Sequence, residues 1–368
     1  MIEALQKMGI TIDVEQESLT ITPGPLTGAS IDVGLAGTVY RFLVAASVLA
    51  SGPVHFDGDE AMYARPIEPV LDALEQLGAT IDAGVGPKGR TLPLTVTGPV
   101  KGSSVTVDSS GSSQFLTSLL LVGSQLPDGL TINLTGDQIP SLPHVEMTID
   151  ALRRAGATID VRRDPISFTV APGALNPGRV TIEPDLSNAS PFLAAAAVTG
   201  GSVSVPHWPT STTQGGAQII PILEMMGATS SLKDGVMTVT GTGTLKGIDQ
   251  DMSECGELTP TVAAVAALAG TPTRLSGIAH LRGHETDRLA AISTEITKLG
   301  GTCVETRDGL YIEPAPLTGG IVDSYEDHRM ATFGAILGLR VEGLSVKDIA
   351  CTSKTLPDFP SMWAQLVQ

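Results

Sequence analysis

The stretch Leu71-Asp72-Ala73-Leu74-Glu75-Gln76-Leu77-Gly78-Ala79-Thr80-Ile81-Asp82 reads as a helix, a stop and the start of a strand. Ile67, Val70, Leu71, Leu74 and Leu77 recur at helical spacing and make one apolar face. Gly78 supplies the left-handed residue that ends the helix, and residues 79–82 alternate as a strand does. The phrase recurs as EALQKMGITID at 3–13, DALRRAGATID at 150–160, LEMMGAT at 223–229 and TEITKLGGT at 294–302. The stop glycines Gly9, Gly78, Gly156, Gly227 and Gly300 lie 69, 78, 71 and 73 residues apart, a repeat far longer than a solenoid unit.

A second marker keeps phase with the first. Extended runs ending in Pro or Gly follow each stop: SLTITP at 18–23, LTVTGP at 94–99, FTVAP at 168–172, MTVTG at 237–241 and LYIEP at 310–314. Next come a strand and a polar loop that opens a small-residue helix: GLAGT at 34–38, SGSSQ at 110–114, SNAS at 187–190, GELT at 256–259 and EDHR at 326–329. One unit is therefore strand–helix–strand–helix–strand–strand. The expected fold class is α/β, with six units of which two are partial, three to a domain. The boundary is expected in the Pro/Gly-rich residues 172–179, giving domains 1–182 and 183–368.

The phase of the repeat places Met1 opposite Val70, inside a helix whose counterpart, with Pro66 in its first turn, begins near residue 65. This predicts a longer protein in which a preceding half-unit completes the first repeat. Without that half-unit, Leu5 and Met8 are expected to stand open to water. Residues 360–366 read as a sixth helix.

At 368 residues the chain can bury two sizeable cores. Its longest apolar run, residues 262–269, is too short to span a bilayer. No basic segment followed by a hydrophobic core opens it, so no signal peptide is visible. Cys255, Cys303 and Cys351 stand far apart and read as buried free thiols of a reducing cytosol. A net charge of −17 argues against nucleic acid or an anionic membrane as partner, and requires a local basic cluster for any anionic ligand.

Such a cluster is visible. Arg65, Arg288, Arg329 and Lys354 sit at element ends beside Glu257, Glu285 and Asp327, and read as an anion clamp around acid–base groups. Glu285 and Arg288 are three apart and are expected on one helical face. The polar loops precede helices, whose N-termini attract anions. Ordinary capping accounts for their Ser, Thr, Asn and Gly, but not for Gln114, His328 and Arg329.

The motifs LAGTVYR (35–41), ARPI (64–67), SSQF (112–115), SLPH (141–144), DLSNAS (185–190), DMSECGEL (251–258), HETDRL (284–289), DHRM (327–330) and SKTLPD (353–358) carry a resemblance across essentially the whole chain. They are similar to those of the 5-enolpyruvylshikimate-3-phosphate synthase (3-phosphoshikimate 1-carboxyvinyltransferase) family, a transferase of the shikimate pathway of aromatic amino-acid biosynthesis. The resemblance implies a two-domain inside-out α/β barrel of βαβαββ units. It implies phosphoenolpyruvate held by Gly37, Arg65, Gln114, Arg288, Arg329 and Lys354. Shikimate 3-phosphate would lie on Ser112, Ser113, Gln114, Ser141, Glu257 and His284. The catalytic groups would be Glu257 on the 5-hydroxyl, Glu285 as the neighbouring acid–base group and His328 beside the leaving phosphate. No metal or organic cofactor, nucleic acid or membrane is implied, and the enzyme would be a cytoplasmic monomer.

Three residues depart from the usual pattern: His284 stands for Lys, His280 for Asn and Glu257 for Asp, which resembles an actinobacterial-type subgroup. The family's N-terminal Lys-Ser pair and Arg have no counterpart in this sequence. Two alternatives follow. The sister enzyme acting on UDP-N-acetylglucosamine usually has a Cys shortly before its Arg-Pro, where residues 59–64 offer none, and DLR where this chain has DHR. A non-catalytic, truncated ligand-binding remnant is the other.

Overall fold

The computed structural model describes residues 1–135, 139 and 141–367. They form two compact units, Met1–Val180 and Thr181–Gln368. Each unit has its own apolar core.

In the opening stretch the helix is Glu68–Gln76, followed by Leu77 and by Gly78 at φ +101°. Val70, Leu71, Leu74 and Leu77 are all buried, and each such side chain contributes about 1.5–3 kcal/mol. Arg90, from the strand Gly89–Thr97, ties down the outer face through Glu68 (2.7 Å), Glu75 (2.9 Å) and Asp72. The helix starts later than expected. Its first-turn proline is Pro69, and Pro66 lies outside because its carbonyl accepts hydrogen bonds from Arg41.

The five stop glycines share one conformation, with φ of +95°, +101°, +100°, +111° and +88° at Gly9, Gly78, Gly156, Gly227 and Gly300. An L-residue there places Cβ too close to the following carbonyl. Three repeats build four-stranded sheets of identical order. In the first, Ala29–Asp32 lies parallel to Val54–Asp57, which pairs antiparallel with Gly89–Thr97, and Thr80–Gly86 closes the edge. Val54 and Phe56 face the core while His55 and Asp57 face out, the two-residue alternation that fixes register. The strands Ser104–Val107, Leu130–Leu134, Ile166–Val170 and Ile159–Arg163 repeat this order. So do Asp249–Asp251, Thr273–Ser276, Leu310–Glu313 and Thr302–Glu305.

Three sheets are smaller. Thr11–Val14 and Leu19–Thr22 form a hairpin, Ile321–Asp323 pairs parallel with Ser345–Lys347, and Ser202–Val205, Val236–Thr240 and Thr229–Lys233 make a three-stranded sheet. The last lacks the strand expected before Asp185, where Val180 and Ile182 are exposed and Pro184 can donate nothing to a ladder. Met8 is fully buried and Leu5 half-buried, contrary to expectation, because the short helix Ile2–Lys7 and its exit pack on the unit's core. In the first, partial repeat the exposed apolar residues instead include Val14, Leu19 and Ile21 of the hairpin. The sixth helix is Phe359–Leu366. Cys255 and Cys303 are buried free thiols pushed up to about 12 by burial, whereas Cys351 is only half-buried. Among the described residues no helix is long and apolar enough to cross a membrane.

Candidate functional site

In the first unit the chemistry gathers at two helix starts. Gly37 opens the helix Gly37–Ala46, and the Arg65 guanidinium lies against it. A Cβ at Gly37 would stand 3.0 Å from Arg65 Nη1 and 3.1 Å from Cζ. One turn on, Arg41 is 3% exposed. Its Nη1 donates to Gln114 Oε1 at 2.8 Å, and its Nε and Nη2 donate to the Pro66 carbonyl at 3.3 and 3.0 Å. The same guanidinium lies over the Phe115 ring, 5.2 Å from its centroid, a favourable cation–π position. With Oε1 engaged, Gln114 presents its amide donors. Arg41 thus joins Gln114 to the backbone beside Arg65. Arg41 closes the motif LAGTVYR and is absent from the expected site residues. The signal was the four-residue interval from Gly37, which places both on one helical face.

Ser112 caps the helix Ser113–Gly123, its hydroxyl accepting from Gln114 N at 3.3 Å, and Ser113 behind it is buried. Ser141 precedes the helix Leu142–Arg154 in the left-handed region, φ +51°.

The second unit brings together Glu257, His284, Glu285, Arg288, His328, Arg329 and Lys354. Arg288 opens the helix Arg288–Lys298 and is 1% exposed. Its Nη1 donates to Glu257 at 2.9 Å and its Nη2 to Glu285 at 3.0 Å, while Nε and Nη2 grip Asp327 at 2.8 and 3.3 Å. Burial opposes this charge, yet Glu257, Asp327 and Glu285 outweigh it and hold Arg288 above the ordinary arginine range. Glu285 precedes the helix instead of sharing its face, since Asp287 caps the first turn by accepting from Ala290 N. Arg329 Nε lies 2.7 Å from Glu257 Oε2, an ion pair without hydrogen-bond alignment. Lys354, ending the 3₁₀ turn Ile349–Lys354, reaches Glu285 Oε1 at 2.7 Å. Among the described residues these contacts join three cations to three carboxylates. The helix caps here are Asp185, Asp287 and Asp327. The expected loop at 187–190 already lies inside the helix Leu186–Thr199, because Asp185 accepts from Asn188 N.

Both histidines are neutral at pH 7. Burial pulls His284 down to about 4, with Arg288 acting in the same direction and Glu257 against it. Arg288 Nη1 contacts His284 Nδ1 at 3.2 Å. Arginine only donates, so Nδ1 accepts and the proton sits on Nε2. His328 is 6% exposed and is drawn down to about 4 by burial and then by Arg329. Its Nδ1 stands 3.8 Å from Asp327 Oδ1 and has no hydrogen-bond partner among the described residues.

Asp327, an acid of the expected clamp, is fully buried and accepts from Arg288 with both carboxylate oxygens. It follows Tyr325 and Glu326, two successive left-handed residues at φ +53° and +56°. Each such conformation costs a non-glycine residue roughly 1–2 kcal/mol, and strain of this kind collects at working sites. Among the described residues no group of three or more His, Cys, Asp or Glu is disposed to hold a metal ion.

A family model described as EPSP synthase (3-phosphoshikimate 1-carboxyvinyltransferase) matches residues 1–363. A 3-phosphoshikimate 1-carboxyvinyltransferase of Kocuria rhizophila is 57% identical over 342 residues, covering 92% of this chain and 76% of that protein. One of Mycobacterium ulcerans is 50% identical over 374 residues, covering 100% of this chain and 85% of the relative. An EPSP synthase structure from Acinetobacter baumannii superposes with TM-score 0.78 at 24% identity, covering 99% of this chain and 86% of the other. A second structure of EPSP synthase from that organism gives 0.77 at the same identity and coverage. These two likenesses concern the fold.

Proposed function

The chain belongs to the EPSP synthase (3-phosphoshikimate 1-carboxyvinyltransferase) family, and from that membership we propose that it transfers the enolpyruvyl group of phosphoenolpyruvate to the 5-hydroxyl of shikimate 3-phosphate. The products are 5-enolpyruvylshikimate 3-phosphate and phosphate, within aromatic amino-acid biosynthesis. The observation that carries the reading is the placement of Glu257 and Glu285 on either side of the Arg288 guanidinium. Two carboxylates held apart by one fixed cation suit a reaction that removes a proton at one atom and delivers one at another.

In this reading Glu257 takes the proton of the 5-hydroxyl as that oxygen bonds to C2 of phosphoenolpyruvate. Glu285 serves the methylene carbon C3, first as acid and then as base. The tetrahedral ketal collapses when C3 loses a proton and the C2–O bond to phosphate breaks. Arg288, Arg329 and Lys354 supply the charge for the carboxylate and phosphate, and family membership implies Gly37, Arg65 and Gln114 as further phosphoenolpyruvate-binding residues. Forked guanidinium donors match both anions. Ser112, Ser113, Gln114, Ser141 and His284 hold shikimate 3-phosphate. Neutral His328 offers the leaving phosphate a hydrogen bond rather than a charge.

The halves 1–182 and 183–368 are read as the N- and C-terminal enolpyruvyltransferase domains. The protein is read as a cytoplasmic monomer, and a charge of −17 argues against nucleic-acid or anionic-membrane partners. The test is phosphate release from phosphoenolpyruvate with shikimate 3-phosphate as acceptor, and the product's mass. Release only with UDP-N-acetylglucosamine, or with neither acceptor, would refute the reading.

A further inference from the structure

One buried acid of the second unit has no part in the chemistry above. Glu295 lies on the helix Arg288–Lys298, seven residues after Arg288, and is 1% exposed. Its Oε1 accepts from the Tyr325 hydroxyl at 2.8 Å. Its Oε2 accepts from the Asp323 backbone N–H at 3.1 Å and from Lys298 Nζ at 2.7 Å. Asp323 Oδ1 accepts in turn from Tyr325 N at 3.0 Å, and Asp327 N closes the turn on the Ser324 carbonyl at 2.8 Å. One helix therefore grips residues 323–327 at both ends, with Arg288 holding Asp327 and Glu295 holding Asp323 and Tyr325. Between the grips sit the two left-handed residues, Tyr325 and Glu326.

A strained pair of this kind persists only where its surroundings over-determine it. The helix His328–Gly338 begins one residue later, after its cap Asp327, and presents His328 and Arg329. A relaxed turn would swing Arg329 away from Glu257 and carry His328 with it.

We propose that Glu295 is a positioning residue, which locks the 323–327 turn through Tyr325 and so sets where His328 and Arg329 meet the transferred phosphate. The proposal rests on the transferase reading of this site and extends it by one layer. Glu295 itself touches neither substrate. Its role is to make the geometry of Arg329 independent of thermal relaxation of the turn.

Tyr325→Phe removes one hydroxyl and keeps the ring, so it is the gentle probe; Glu295→Gln is the stronger one. Tyr311→Phe, on the partly exposed strand Leu310–Glu313, is the control. Two readouts are needed. In steady-state kinetics Tyr325→Phe should raise KM for phosphoenolpyruvate or lower kcat by about tenfold, with KM for shikimate 3-phosphate nearly constant. In NMR titration of the His328 ring, identified by its loss in His328→Gln, the midpoint should climb from about 4 towards the ordinary 6.5 as water reaches the ring and Arg329 recedes. Glu295→Gln should move both readouts further, and the control neither. A folded Tyr325→Phe protein with parent kinetics and a parent His328 midpoint would overturn the proposal. If the parent itself shows no turnover but the His328 midpoint still shifts, the transferase reading fails and the positioning role stands.

Discussion

The guanidinium of Arg41 donates to the side-chain oxygen of Gln114 at 2.8 Å, although 73 residues separate them. Arg41 thereby ties one repeat's polar loop to the next, and also holds the Pro66 carbonyl beside Arg65. Lysine has one compact head group and cannot make the same fork. Arg41→Lys should lower kcat/KM by about 10–100-fold through misplaced Gln114 and Arg65. It should also cost roughly 1–3 kcal/mol of stability from the buried acceptors left without donors. Kinetics and urea unfolding on the same preparation check both, and parent-like kcat/KM would remove Arg41 from the site.

Gly37→Ala separates binding from folding. The new Cβ would meet the Arg65 guanidinium at 3.0 Å, the far end of a flexible side chain, so the fold should tolerate it. Alanine within a helix is favoured over glycine by about 1 kcal/mol, so stability should hold or rise slightly. KM for phosphoenolpyruvate should rise about tenfold because Arg65 must step aside. An unchanged KM would mean that Arg65 works equally well from its displaced position.

Glu257→Gln and Glu285→Gln should each lower kcat by about 10²–10⁴-fold, the usual cost of losing a positioned proton-transfer group. Each also strips a counter-ion from buried Arg288, so a stability loss of about 1–3 kcal/mol should accompany the kinetic loss. A kcat within about threefold of the parent at both positions would reduce the pair to structural acids.

His328 makes stability depend on pH in a defined window. The folded imidazole takes a proton near 4, the unfolded one near 6.5. Between these values the unfolded chain binds more protons, so stability falls as pH drops through the window and levels off above it. The contribution is at most roughly 3 kcal/mol. His328→Gln should therefore show a shallower stability loss between about pH 7 and pH 4.5 than the parent does. Parallel losses in the two proteins would mean that His328 is protonated in the fold.

The repeat was legible because helix exits demand glycine and strands alternate, and both are local rules. All five stop glycines took the left-handed conformation that the pattern required. What escaped depended on partners distant in sequence. Pro66 reads as a helix opener until Arg41 is seen to claim its carbonyl. Met8 reads as exposed until the core of its unit is assembled around it. The strand expected before Asp185 has the right residues and no buried face to receive them. In the site, residue types pointed to an anion clamp, yet the mutual neutralisation of Arg288 by three acids could be read only from coordinates.

The five glycine corners also amount to an internal calibration series. An added Cβ meets nothing within 4 Å at Gly78 and only distant atoms, 3.8–4.0 Å away, at Gly156 and Gly300, but meets the Thr244 carbonyl oxygen at 2.6 Å at Gly227. Alanine at the first three would report the backbone conformation alone, about 1–2 kcal/mol apiece. Alanine at Gly227 would add a collision to the same term. One polypeptide thus resolves, about seventy residues at a time, what a left-handed turn costs from what crowding costs.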